Sequence, residues 1–92
     1  RIMWDNAYAV HHLSDKHNTL LNILDECKKA GNSDIVFEYT STSKISFPGG
    51  GVASMAASAA NLNQIKKLIF AQTIGPDKIN QLRHTSILKN IG

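Results

Sequence analysis

Apolar residues recur every three or four positions in the first third of the chain, which predicts an amphipathic helix. Ser14 can cap the start of this helix, and Gly31 follows its last turn, where glycine commonly ends a helix. A preceding helix is predicted for residues 1–13, with Asp5 or Asn6 as its cap. The stripe of the second helix consists of Leu13, His17, Leu20, Leu21, Leu24 and Cys27.

Alternation of side-chain type predicts a strand further along the chain. Positions from Ile35 to Tyr39 place Ile35, Phe37 and Tyr39 on one face and polar Glu38 on the other. Residues 40–43 form either the loop of a hairpin or the middle of one long strand, and in both cases residues 45–47 are predicted to be strand. The sequence does not separate these two possibilities.

The second half of the chain predicts helices separated by glycine and proline. Gly49, Gly50 and Gly51 follow Pro48 and predict a hinge, after which an alanine-rich helix begins at about Val52. Further helical turns are predicted over Pro76–Leu82 and Ser86–Ile91. The fold class predicted is therefore α+β, in one small domain with N-terminal helices, short antiparallel strands, a glycine-hinged helix and a helical tail. The predicted core is Trp4, Leu13, Leu20, Leu24, Ile35, Phe37, Ile45, Phe47, Val52, Met55, Ala59, Leu62, Ile69, Ile74 and Leu82.

Composition narrows the class of protein without fixing its function. The 92 residues are 42% hydrophobic and 18% charged, which is typical of a globular domain and excludes a disordered or fibrous chain. The net charge of +3 and the pI near 9.2 favour a polyanionic partner. Because the chain starts at Arg1 and not at Met, it is expected to be a processed or trimmed chain, or a fragment of a larger protein.

Cys27 is the single cysteine, so no internal disulfide is possible and a reducing, intracellular compartment is favoured. Secretion stays open if the chain is processed or disulfide-linked to another chain. No run of 18 apolar residues is present, so no membrane span is expected.

The segment from residue 68 to residue 89 resembles a helix–hairpin–helix motif. Ile74, Gly75, Ile79 and Leu82 fall at the matching places, and the resemblance implies that Gly75, Asp77 and Lys78 hold a nucleic-acid phosphate without reading base sequence. Other basic residues would have to share that face. The alternative is an ordinary turn between two helices. The candidate basic residues are Lys44, Lys66, Lys67, Lys78, Arg83 and Lys89.

The segment from Pro48 to Ser58 resembles the phosphate-binding loop of galactokinase-type small-molecule kinases. This resemblance implies that the triphosphate of a nucleotide is lined by Gly49, Gly50, Gly51 and Ser54. The alternative is a structural hinge that lets a strand turn sharply into a closely packed helix.

Groups with catalytic or metal-binding spacing are not recognisable in the sequence. The cluster of His11, His12, Asp15 and His17 lacks the paired spacing of a zinc-binding helix, so neither a metal nor another cofactor is predicted. The function predicted is a non-catalytic binding module that contacts nucleic-acid phosphates through helix N-termini. The alternative is a protein interaction subunit, or a small effector or toxin chain, that works with a partner chain.

Overall fold

The computed structural model describes residues 1–90, which form a three-stranded sheet and three α-helices. The α+β class predicted from the sequence is confirmed. No helix in this part of the chain is long and apolar enough to cross a membrane. The elements in chain order are β1 (Ile2–Asp5), α1 (Ile23–Lys29), a 3-10 turn (Ser33–Ile35), β2 (Val36–Ser41), β3 (Ala53–Ala57), α2 (Ala59–Thr73) and α3 (Lys78–Asn90).

Strand β2 lies at the centre of the sheet, between β1 and β3. β1 runs parallel to β2, with Ile2 opposite Val36 and Asp5 opposite Tyr39. β3 runs antiparallel to β2, with Met55 opposite Tyr39. Parallel neighbours need a crossover connection, and α1 lies within it. The parallel pair places the carboxyl ends of β1 and β2 at the same edge of the sheet.

The buried apolar core is small and lies at the start of β2. Val36 is fully buried and Phe37 is 6% exposed. Of the predicted core, Phe37 alone reaches this degree of burial within residues 1–90, whereas Leu13 is entirely exposed. The predicted helix stripes therefore identify apolar faces, but most of these faces are not covered by other parts of residues 1–90.

The N-terminal helices predicted from spacing are largely wrong. Residues 2–5 form β1 because they pair with β2, and such tertiary pairing overrides weak local helix propensity. Helix α1 begins only at Ile23, where the Asn22 side chain caps it by accepting from the amide nitrogens of Leu24 (3.0 Å) and Asp25 (3.5 Å).

The alanine-rich helix also begins later than predicted. Residues 53–57 form β3 because the free edge of β2 accepts them as a strand, and α2 starts at Ala59. Ser58 caps α2, its Oγ accepting from the Asn61 amide nitrogen at 3.3 Å. The strand prediction for residues 45–47 is wrong, since these residues belong to the connection between β2 and β3.

The helical tail is one continuous helix rather than two short ones. Helix α3 covers Lys78–Asn90 and therefore joins the two predicted segments. The predicted last residue, Ile91, lies outside the described residues.

Truncation of the fully buried valine should destabilise the fold measurably. Val36→Ala removes two methyl groups at a site with no solvent exposure, so we expect the free energy of unfolding to fall by about 2 kcal/mol. Val10→Ala makes the same chemical change at a side chain that is 63% exposed, and should change it by less than about 0.5 kcal/mol. Urea denaturation of both variants checks this. Equal losses would contradict the location of the core.

Candidate functional site

The carboxyl ends of β1 and β2 bring polar residues together at one edge of the sheet. Asp5 ends β1 and Ser41 ends β2. The Asn6 amide nitrogen donates to Tyr39 O (2.7 Å), which extends the pairing one residue beyond β1. The Ala7 amide nitrogen donates to Asp5 Oδ1 (3.1 Å), so the carboxylate also shapes the turn that follows. In open sheets with parallel strands, ligands bind at this kind of edge.

The segment after β1 contacts the loop after β2 through Lys44. Lys44 Nζ lies 6.0 Å from the centre of the Tyr8 ring, at the limit of a cation–π contact. His11 Nε2 lies 3.1 Å from Lys44 O, and the Tyr8 and His11 rings meet edge to face at 5.4 Å. These contacts join the two connections that leave the parallel strands.

The edge therefore combines a carboxylate, a phenol and a primary amine, all open to solvent. Asp5, Tyr8 and Lys44 are exposed. Within residues 1–90 the ion pair is Lys29 with Glu26, so neither Asp5 nor Lys44 is neutralised by a charged neighbour in this part of the chain. A groove of about 510 Å³ runs beside Asp5 and is lined by Met3, Asp5, Ala7, Tyr39, Thr40, Ser41 and Ala53. Its volume is in the range of small-molecule sites.

The glycine loop is packed closely against the rest of the protein. Asn80 Nδ2 donates to the carbonyl oxygens of Gly50 (2.9 Å) and Gly51 (3.2 Å). A Cβ on Gly51 would lie 2.6 Å from Ser43 Oγ, which a real side chain does not tolerate. Glycine is therefore favoured here, because a larger residue would force Ser43 to shift.

The structure of the predicted phosphate loop differs from the prediction in one respect, which is the element that follows the loop. Ser54 lies in β3 opposite Thr40, so the loop does not lead directly into a helix. The helix follows only after β3 because those alanines pair with β2. Phosphate binding at Gly49, Gly50, Gly51 and Ser54 stays a prediction.

The turn between α2 and α3 uses its polar groups internally. The Gly75 amide nitrogen donates to Thr73 O (2.6 Å), and Asp77 Oδ1 accepts from the Asn80 amide nitrogen (3.1 Å) at the start of α3. Lys78 is the first residue of α3. Gly51 and Asp77 line one cavity of about 160 Å³, so the two predicted loops are neighbours. Phosphate binding at Gly75, Asp77 and Lys78 stays a prediction.

Sequence reasoning did not identify the residues at the carboxyl edge as a site. It treated Asp5 as a helix cap, Tyr8 as a helical residue and Lys44 as one of several basic side chains. The signal was the parallel pairing of Ile2–Asp5 with β2, because that pairing places Asp5 and the hydroxyl-rich run before Lys44 at the same carboxyl edge of the sheet.

Comparison with known proteins shows which family shares this sequence. The family model described as aspartate amino-transferase matches residues 1–92. A protein of Mycolicibacterium smegmatis, named only as an aminotransferase, is 48% identical over 84 residues, which are 91% of this chain and 20% of that protein. The aspartate aminotransferase of Corynebacterium glutamicum is 42% identical over 84 residues, 91% of this chain and 19% of that protein. The chain spans about a fifth of the length of these relatives.

This match overturns the functional predictions made from the sequence pattern. It includes residues 68–89, so the helix–hairpin–helix interpretation of that segment is wrong, and with it the prediction of a nucleic-acid-binding module. The alternative of an interaction subunit or small effector gains no support from the match either. The turn at Gly75 resembled the motif because glycine and flanking apolar residues are common in short connections between helices. The chain belongs to the aspartate amino-transferase family.

Proposed function

We propose that this chain forms part of the active site of a pyridoxal-phosphate-dependent aminotransferase. The observation that carries the proposal is the position of Asp5 at the end of β1 and of Lys44 shortly after the end of the parallel strand β2, with Tyr8 between them along the chain. Family membership supports amino-group transfer as the reaction. Because the chain spans about a fifth of its relatives, the activity proposed is that of a longer protein containing this sequence.

The donor set at the carboxyl edge fits this cofactor. Enzymes that use pyridoxal phosphate hold it through a lysine amine and pair its ring nitrogen with an acidic or basic side chain. The edge supplies one amine, Lys44, and one carboxylate, Asp5, both exposed and neither in an ion pair within the described residues. When bound, the cofactor supplies an electron sink for the electron pair released at the α-carbon of an amino acid.

Lys44 would have two tasks. Its amine would hold the cofactor covalently and, once displaced by the amino group of the substrate, would move a proton at the substrate α-carbon. The loop position supports this, because His11 contacts the backbone of Lys44 while the Lys44 side chain is exposed.

Asp5 would bind the ring nitrogen of the cofactor as a hydrogen-bonded ion pair and keep that nitrogen protonated. Its hydrogen bond from the Ala7 amide nitrogen orients the carboxylate at the end of β1. Tyr8, whose ring centre is 6.0 Å from Lys44 Nζ, would add a hydroxyl near the same amine. These contacts support different roles for the two side chains, in which the Asp5 carboxylate orients the cofactor and the Lys44 amine reacts.

The substrates proposed are an α-amino acid as donor and a 2-oxo acid as acceptor. Aspartate is the first donor to test, since one relative at 42% identity is named aspartate aminotransferase. Contact of this chain with further polypeptide is part of the proposal. A groove of about 510 Å³ at the end of α2, which includes Ile69, Phe70 and Ile74, exposes apolar side chains that other parts of such an enzyme could cover.

Mapping the residue that holds the cofactor tests the proposal. The longer protein is incubated with pyridoxal phosphate, reduced with borohydride to make the attachment permanent, digested and analysed by mass spectrometry. We expect the label on Lys44, with the exposed Lys66 and Lys67 unlabelled at equimolar cofactor. A specific label on another lysine, or no label, would contradict the proposed function.

A further inference from the structure

Helix α3 carries a buried histidine that the proposed reaction does not use directly. His84 is 4% exposed. Its Nδ1 lies 2.9 Å from Asn80 O, and its Nε2 lies 2.9 Å from both Thr42 Oγ1 and Ser46 Oγ. Because a carbonyl oxygen only accepts, Nδ1 carries a proton in this contact, and in the neutral ring Nε2 accepts from a hydroxyl. The ring therefore joins α3 to the loop after β2.

Asn80 makes a parallel contact one turn earlier on α3. Its Nδ2 donates to Gly50 O (2.9 Å) and Gly51 O (3.2 Å). Residues four apart lie on one face of a helix, so Asn80 and His84 form a single face toward the connection between β2 and β3. That face contacts both the start and the end of the connection.

Lys44 lies between the two hydroxyl residues that contact His84. Thr42 is the centre of the local hydrogen bonding, since its carbonyl accepts from the amide nitrogens of Ile45 (2.9 Å) and Ser46 (2.8 Å). Thr42 Oγ1 also accepts from the Val52 amide nitrogen at 2.9 Å. The Lys44 backbone is thus fixed on both sides, although its side chain is exposed.

We propose that His84 is a positioning residue, which fixes the Lys44 loop through Thr42 and Ser46 and so places the Lys44 amine. This inference rests on the proposed function. The Lys44 amine would have to react first with a carbonyl carbon of the cofactor and then with a proton of the substrate, so the backbone that carries it must be held in place. A displacement of a reacting group by about 1 Å is enough to lower the rate roughly 10²-fold. His84 holds this backbone in place from α3, a helix that is not part of the carboxyl edge.

The test compares two substitutions of His84 in the longer, cofactor-loaded protein. His84→Leu keeps the volume but leaves the hydroxyls of Thr42 and Ser46 without this partner, whereas the side-chain oxygen of His84→Gln can replace Nε2 as an acceptor. We expect His84→Leu to lower kcat per bound cofactor by about 10-fold to 100-fold with KM changed less than about threefold, and His84→Gln to recover most of the loss. His17→Leu, at an exposed histidine, is the control.

A second readout does not depend on activity. In the cofactor-free His84→Leu variant, the amides of Ser46 and Val52 should exchange their hydrogens at least about fivefold faster than in the parent. The amides that pair β2 with β3 should exchange as slowly as in the parent. Should His84→Leu fail to fold, Thr42→Val replaces the hydroxyl that contacts His84 by a methyl group and is expected to lower kcat per bound cofactor in the same way. In that variant Ser46 is the diagnostic amide, because Thr42 Oγ1 is itself the acceptor of the Val52 amide.

The outcomes separate this inference from the proposed function. If the unsubstituted protein carries its label on Lys44 but His84→Leu and Thr42→Val match its kcat per bound cofactor and its exchange rates, His84 does not position Lys44. If the losses appear only as less folded protein, with kcat per bound cofactor unchanged, the role is structural and the inference is wrong. If Lys44 is not labelled in the unsubstituted protein, the proposed function itself is wrong.

Discussion

Replacement of Lys44 by alanine is expected to lower the rate of amino-group transfer by roughly 10³-fold or more. The variant loses the amine that would hold the cofactor and also the base that would move the α-proton, so no nearby group replaces it. Lys44 is exposed and makes no ion pair within the described residues, so its loss should leave the free energy of unfolding unchanged within about 0.5 kcal/mol. Single-turnover kinetics with aspartate measure the chemical step.

The matched control for Lys44→Ala is Lys66→Ala, which removes an exposed lysine from α2. It should retain the parental rate. Added methylamine should partly restore the Lys44→Ala variant, because a free amine can move the α-proton. A Lys44→Ala variant with the parental rate would exclude Lys44 from the reaction.

Replacement of Asp5 by asparagine is expected to lower kcat by about 10²-fold or more, an effect comparable to that of removing one preorganised polar group from an active site. The amide keeps the shape of the side chain and can still accept from the Ala7 amide nitrogen. It lacks the negative charge that would keep the ring nitrogen of the cofactor protonated. The turn after β1 should therefore survive while the chemistry slows. Steady-state kinetics and the absorbance spectrum of the bound cofactor measure the two effects.

Asp15→Asn removes a carboxylate from an exposed position and serves as the control for Asp5→Asn. Its kcat and spectrum should be those of the parent. If Asp5→Asn changed stability but left kcat and the spectrum unaltered, Asp5 would be a turn residue only, and the proposed orientation of the cofactor would be wrong.

Local pattern was sufficient to predict the α+β class and the position of one strand. Alternation around Phe37 predicted β2, although Val36 and Phe37, on opposite faces of the strand, are both buried. Pattern failed for β1 and β3, whose residues acquire their conformation by pairing with β2. Residues 53–57 are mostly alanine, which locally favours a helix, and only the neighbouring strand overrides that preference.

The candidate site could not be predicted because it depends on the direction of the strands. Asp5 and Lys44 are far apart in sequence and belong to no short motif. They come to the same edge of the sheet only if β1 and β2 run parallel, and the N-terminal segment was predicted to be helical. The glycine loop was recognised as unusual, and it packs against Phe47, Ser43 and Asn80, while phosphate binding there stays a prediction.

Strand β1 is the outermost strand on its side of the sheet. Its outward N–H and C=O groups have no ladder partner among residues 1–90, and such an edge readily accepts another strand. A strand added there in the same direction would end beside Asp5 and would bring its own next residues to the groove. The carboxylate and the amine would then form one wall of a deeper cleft, whose opposite wall could select the substrate.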